Sequence, residues 1–442
     1  MKITKEMIET SKSTYKKCAK NRLAENAVTT NGIHQTAKNW ETSAESTQVF
    51  SIDLPTGEVA NQKQSGRCWM FAALNTFRHK ILQDFKLKEF ELSQSYTFFW
   101  DKYEKSNWFF EQILATGKSE LTDRKVAFLL QTPQQDGGQW DMIVSLIEKY
   151  GVVPKSVYPE STSSSASAEL NKYLNKLLRK GALVLRTLIE ENKSTEEIQA
   201  KKAELLDEIY RFLSISLGNP PEVFDFEYRN EDNEYFIERN MTPKSFYEKF
   251  VGVDLGEYVS IINAPTKDKP YNKSYTVEML GNVVGGKQVK YLNVDMKEFK
   301  RLATRQLESG ETVWFGCDVG QSSDRKSGIM ATGIYDIDGL FELEVEMNKA
   351  ERLDYGESLM THAMVLTGVN VVDGETTKWK VENSWGKEVG EKGFFVASDK
   401  WMDEFTYQIV VRRSFLSEEQ LKAFDAEPIV LAPWDPMGSL AN

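Results

Sequence analysis

Cys68 stands behind a short turn, Ser65-Gly66-Arg67, and ahead of an apolar run from Trp69 to Leu74. The run predicts a buried helix that begins at the cysteine. A thiol at a helix N-terminus meets the positive end of the dipole, which favours thiolate over thiol. Gln62, six residues earlier, supplies an amide donor close to that thiol. Most lone cysteines are inert core, but a second constellation lies far downstream. His362, one of three histidines in the chain, leads into a strand-like run to Gly368, and Glu382-Asn383-Ser384-Trp385-Gly386 closes the next such run. A thiolate, an imidazole to carry the proton, an amide to orient the imidazole and a donor for an oxyanion together equip a protein for acyl chemistry through a thioester.

The elements that must position these groups can be read in order. Residues 1–60 predict a helical arm followed by an irregular or strand-like wrapping segment from Asn39 to Pro55, with His34 a structural histidine. The Cys68 helix is expected to reach about Phe85. His79 lies on it 11 residues on, roughly 16 Å away at 1.5 Å per residue, too far to be the base. The aromatic stretch from Glu91 to Ile113 reads as a buried helix. Gln135 to Asp141 is a tight loop before a helix over Met142 to Tyr150, and its paired glycines, Gly137 and Gly138, allow close backbone approach. From Leu170 to Leu213 two amphipathic helices carry no chemistry of their own. The second opens on Ser194 with Glu197 three residues later, a capping box, and stops at Gly218. Strands follow at 258–262, 312–319, 362–372, 378–384, 393–396 and 407–411, with Cys317 an inert core thiol inside one of them. Residues 416–442 read as a short helix and then an extended, apolar arm containing Ile429, Leu431, Trp434 and Met437.

Composition narrows the class. The chain has 442 residues, enough for two or three domains. It is 40% hydrophobic and 27% charged, ordinary values that indicate neither disorder nor a membrane protein. A net charge of −11 argues against general affinity for nucleic acid. Three scattered cysteines do not make a disulfide framework. The charged N-terminus has no signal-peptide pattern, so a cytoplasmic location is expected.

Four motifs carry a resemblance: N-Q-x-x-S-G-R-C-W at 61–69, D-G-G-Q-W-D at 136–141, T-H-A-M-x-L-T-G at 361–368 and E-N-S-W-G at 382–386. In these residues, and in their order along nearly the whole chain, the sequence resembles the bacterial aminopeptidase C and bleomycin hydrolase family, the intracellular branch of the papain-like cysteine peptidases. His362 lies 294 residues after Cys68. Secreted papain types space the two by roughly 130–150 residues, so about 150 residues are inserted here. The resemblance implies an α+β, papain-like fold of two lobes with a helical insertion. Its divisions would be 1–160 for the N-terminal arm and the lobe of Cys68, 161–235 for the insertion, 236–415 for the β-rich lobe of His362 and Asn383, and 416–442 for the C-terminal arm. It implies Cys68, His362, Asn383 and Gln62 as the catalytic set. Gly137, Gly138, Trp385 and Asn442 would bind substrate, the last through its carboxylate. No metal or organic cofactor is required. The implied activity is a broad aminopeptidase acting on peptides, with the inserted helices hooking subunits into a hexamer. They could equally pack on the parent lobe. An endopeptidase with an open cleft is the alternative, and an inactive assembly or nucleic-acid-binding relative a more remote one.

Overall fold

Cys68–Asp84 is helical, and its first two turns, Cys68 to Leu74, are apolar on every side, so that half is stable only as a central element. In the computed structural model, which describes residues 1–439, this helix runs through the interior with Cys68, Trp69, Met70 and Ala73 essentially free of solvent. The aromatic helix Gln94–Ala115 and the helix Trp140–Tyr150 lie against it and form one lobe.

The second lobe is a long mixed sheet. Its middle is antiparallel: Tyr258–Ile262, Thr406–Arg412, Val313–Cys317, His362–Val372, Glu375–Glu382 and Phe394–Ser398 pair in that order. The centre reads Val-Trp-Phe-Gly-Cys and His-Ala-Met-Val-Leu, buried on both faces, which is why these strands are near-continuous in apolar character rather than alternating. His362 stands at the end of its strand, opposite Cys317. Asn383 follows the last residue of the next strand. The β-turn connection therefore brings two residues 21 apart to the same end of neighbouring strands.

The helical segment between the lobes consists of Ala168–Glu190 and Thr195–Leu217. Both capping-box partners, Ser194 and Glu197, make the reciprocal bonds. Leu174, Leu178, Leu185, Ile209 and Leu213 are buried in the same core as Phe109 and Phe110 of the aromatic helix. The inserted pair thus packs on the helical lobe. Beyond it a hairpin, Phe224–Arg229 with Tyr235–Met241, continues the lobe's surface through stacked aromatic rings.

Two local readings need correction. The segment from Asn39 to Pro55 is not wholly irregular or extended: Trp40–Glu45 is a short helix, because the Asn39 side chain accepts from the N–H groups of Glu41 and Thr42. The helix read from Met142 starts at Trp140. Asn442 lies outside the described residues.

Candidate active site

The Cys68 helix is fastened to the sheet by buried polar contacts at three levels. Trp314 donates its indole N–H to the Trp69 carbonyl at 3.1 Å. Asn75 Nδ2 donates to Glu382 Oε1 at 3.0 Å, and Arg78 forms an ion pair with the same carboxylate. Glu382 immediately precedes Asn383, so the Cys68 helix holds the segment that carries the Asn383 amide. Breaking a buried pair of this kind costs about 3–5 kcal/mol.

His362 Nε2 and Asn383 Oδ1 are 2.9 Å apart. The Ser384 backbone N–H donates to the same Asn383 atom at 2.7 Å. An atom that receives a backbone N–H is the amide oxygen, so Nε2 carries the imidazole proton and Nδ1 is the nitrogen with a free lone pair. His362 is 2% exposed. Trp385 lies 4.9 Å from it, ring centre to ring centre, and shields this bond from water.

Cys68 is fully buried at the start of its helix. A lone charge on either of the two groups is disfavoured. Burial pushes the Cys68 thiol up to about 12, against the pull of the Ala363, Trp69 and Cys68 backbone N–H groups. Burial likewise brings His362 down to about 4, partly opposed by Asn383 and aided by Arg325. A proton passed from Sγ to Nδ1 creates both charges at once. Their mutual attraction, the helix N-terminus and the backbone donors around the sulfur then act in the same direction.

Gln62 is held from both lobes. Its backbone N–H donates to the Ser384 carbonyl at 2.8 Å, and its Oε1 accepts from Ser384 Oγ at 2.5 Å. Its Nε2 donates one N–H to the Ser65 carbonyl at 2.7 Å. A primary amide has a second N–H to give. Ser384 carries this orientation, and motif spacing gave it no role.

The loop of Gly137 and Gly138 is fixed by buried charge. Lys105 donates to the carbonyls of Gln135 and Gly137 at 3.0 and 2.7 Å and pairs with Asp101 at 2.7 Å. Asp136 pairs with Lys102 at 2.8 Å, and accepts from the Gly66 N–H at 2.9 Å and from Asn171 at 2.7 Å. One carboxylate thus joins the Gly137–Gly138 loop to the turn in front of Cys68. A Cβ on Gly138 would meet the Trp69 ring at 2.5 Å. Glycine is required there by the neighbouring indole, a reason independent of any peptide in the cleft. Polar residues inside an aromatic helix give a faint hint of Lys102 and Lys105, which sequence reading passed over.

The C-terminal arm ends its described course between the lobes. Ile429–Leu431 adds in parallel to Lys273–Val277. Trp434 lies under the Arg124 guanidinium at 3.6 Å, and Asp435 pairs with the buried Lys269 at 2.9 Å. Ser439 then accepts from Gln139 Nε2 at 2.7 Å through its carbonyl and donates to the Met360 carbonyl at 2.7 Å through its hydroxyl. Gln139 follows Gly138, and Met360 is two residues before His362. A cavity of about 760 Å³ runs beside this stretch, bordered by Gln135, Leu359 and Ser439.

A family model, the Peptidase C1-like family, matches residues 2–438. The chain belongs to the Peptidase C1-like family. Aminopeptidase C of Streptococcus thermophilus is 62% identical, over 97% of this chain and 96% of that protein. Aminopeptidase C of Lactococcus lactis subsp. cremoris is 60% identical over the whole of both. Aminopeptidase G of Lactobacillus delbrueckii subsp. lactis is 44% identical over 95% of both. The crystal structure of PepW from Lactobacillus rhamnosis HN001 superposes with a TM-score of 0.99 at 59% identity, covering 100% of this chain and 99% of that one. The fold of this C1-like peptidase is thus α+β along its whole length, with the thiol on the helical side and the imidazole on the sheet.

Proposed function

We propose that the protein is a cysteine aminopeptidase in which Cys68, His362, Asn383 and Gln62 carry the reaction and the C-terminal arm restricts it to peptide N-termini. The observation that carries this reading is the 2.9 Å contact of His362 Nε2 with Asn383 Oδ1, which leaves Nδ1 as the base, while the backbone of the next residue, Ala363, bonds the Cys68 thiol. The aminopeptidase names of relatives about 60% identical support the substrate class.

Cys68 Sγ gives its proton to His362 Nδ1 and attacks the scissile carbonyl. The tetrahedral oxyanion receives the Cys68 backbone N–H and the second N–H of Gln62. Where measured, losing one such donor costs about 2.7–4 kcal/mol. His362 returns the proton to the leaving amine, and the thioester forms. A water, deprotonated by the same nitrogen, then releases the acid and regenerates the thiol. Gly137 and Gly138 border the bound peptide, and Trp385 shelters the His362–Asn383 bond.

The arm supplies selectivity. Ser439 sits between Gln139 and Met360, so the non-primed side has room for little beyond the residue being removed. A terminal carboxylate at Asn442 would match a substrate α-ammonium. Assembly belongs to the same reading. Tyr173, Leu183 and Ile215 of the inserted helices are exposed, an apolar surface suited to a second copy in a ring. A cytoplasmic location fits a reduced thiol. Among the described residues no helix is long and apolar enough to cross a membrane.

The test is hydrolysis of an aminoacyl fluorogenic amide beside its N-acetylated twin, by the full chain and by a version ending at Gly438. Cleavage of only the free-amine compound by the full chain, with that preference lost on truncation, is the expected result. Equal cleavage of both by the full chain would instead favour an open-cleft endopeptidase.

A further inference from the structure

Trp385 has a second partner besides His362. The Arg325 guanidinium lies over its ring, 4.5 Å from the centre. Stacking occupies the flat face of a guanidinium and leaves its N–H edge free, in the fork that matches a carboxylate. Among the described residues no acidic side chain pairs with Arg325, and the residue is exposed.

The loop that carries it is held in place. Asp324, next to it, forms an ion pair with Lys38, accepts from Ser327 Oγ at 2.7 Å and from the Lys326 N–H at 3.2 Å. The Asp324 carbonyl accepts from the Gly328 N–H at 2.9 Å. The carboxylate next to it in the chain is thereby paired, and Arg325 lies over the indole with no ion-pair partner among the described residues.

Its position has a chemical meaning. His362 must hand its proton to the leaving nitrogen, so the leaving portion of the substrate lies over the imidazole. Trp385 adjoins that imidazole, and Arg325 adjoins Trp385. On the opposite side the arm occupies the space between Gln139 and Met360. When the substrate is a dipeptide, the residue that leaves carries its own α-carboxylate, and that group falls on the side of Arg325. We propose that Arg325 receives this carboxylate, and that the enzyme therefore prefers dipeptides with a free C-terminus over amidated ones. The proposal rests on the aminopeptidase reading, and it assigns a selectivity on the leaving side that the arm does not provide.

The test compares kcat/KM for Leu-Ala with that for Leu-Ala-amide in wild type, Arg325→Met and Arg325→Lys, on the full chain. The ratio is the readout, so a general change in activity cancels. In wild type the free acid is expected to be favoured roughly five- to tenfold at low salt, as for a bidentate pair at a partly solvated site, and less at high salt. Arg325→Met should bring the ratio to about one, and Arg325→Lys should retain part of it, because an ammonium keeps charge without the fork. A wild-type ratio near one, or an unchanged ratio in Arg325→Met, overturns the proposal. If wild type cleaves neither dipeptide nor a free-amine aminoacyl amide, the aminopeptidase reading fails and takes this proposal with it. If it cleaves the aminoacyl amide and shows no acid preference, only the role of Arg325 falls.

Discussion

Gln62 and Ser384 are joined twice across the interface between the lobes, backbone N–H to carbonyl at 2.8 Å and hydroxyl to amide oxygen at 2.5 Å. Ser384 also gives its own N–H to Asn383. One serine therefore sets the direction of both side-chain amides, Gln62 and Asn383, on which the proposed mechanism relies. Ser384→Ala removes the hydroxyl and leaves the backbone bonds. We expect kcat to fall by roughly tenfold with KM little altered, against about 10²–10³ for Gln62→Ala, where the donor itself is lost. A fall in Ser384→Ala confined to KM would contradict this.

Alkylation of Cys68 reports on its proton. In the paired state the sulfur is expected to react with iodoacetamide readily at pH 6. His362→Ala removes the proton acceptor, and burial, only partly offset by the backbone N–H groups, then holds the thiol up at about 12. At pH 7 its labelling rate should drop on the order of 10³-fold or more, since only the thiolate attacks. Equal rates in the two proteins would mean that His362 does not take the proton.

Acid stability should depend on Asp136. Burial disfavours its charge, but Lys102 and the bonds from Ser167 and Gly66 prevail and hold the carboxyl well below the usual range. Its folded-state value lies under the unfolded one, so its contribution is present above about pH 4 and is lost as pH falls further. Urea midpoints between pH 5 and 3 should fall less steeply for Asp136→Asn than for wild type. At pH 7 the variant should be less stable by about 3–5 kcal/mol, because Lys102 is left buried without its partner.

Lys269 latches the arm through Asp435. Lys269→Met keeps the aliphatic stem and deletes the charge. Hydrolysis of the N-acetylated substrate, relative to the free amine, should rise several-fold to about tenfold as the arm loosens. An unchanged ratio would place the hold of the arm in Trp434 and the Ser439 contacts.

Much of this architecture is local and was legible as such. The apolar run after Cys68, the capping box at Ser194 and the Thr242-Pro243 helix start each depend on neighbours within a turn. The Cys68, His362 and Asn383 set was legible because its residue types are few and its motifs distinctive. What escaped depends on partners remote in the chain. Ser384 meets Gln62 across 322 residues. Lys102 and Lys105 drew no reading from the sequence, and they are buried because Asp136, Asp101 and the loop carbonyls meet them there. At Gly138 the close approach of Trp69, which the missing side chain makes room for, is likewise set by a residue remote in the chain. Asn39 did carry a usable local signal, a capping side chain before Trp40, and it was overlooked.

The placement of the thiol on one lobe and the imidazole on the other bears on the time before the native state is reached. The helix of Cys68 packs not only on Gln94–Ala115 and Trp140–Tyr150 but also on the strands Val313–Cys317 and His362–Val372, more than 200 residues further along the chain. Contacts at such separations close slowly, after local structure has formed. On the proposed mechanism, a molecule in which these contacts have not closed holds Cys68 without His362 and is chemically silent toward the unfolded chains around it. Docking of the lobes, through Glu382, Trp314 and Ser384, would then arm the cysteine, so that folding itself serves as the safety catch.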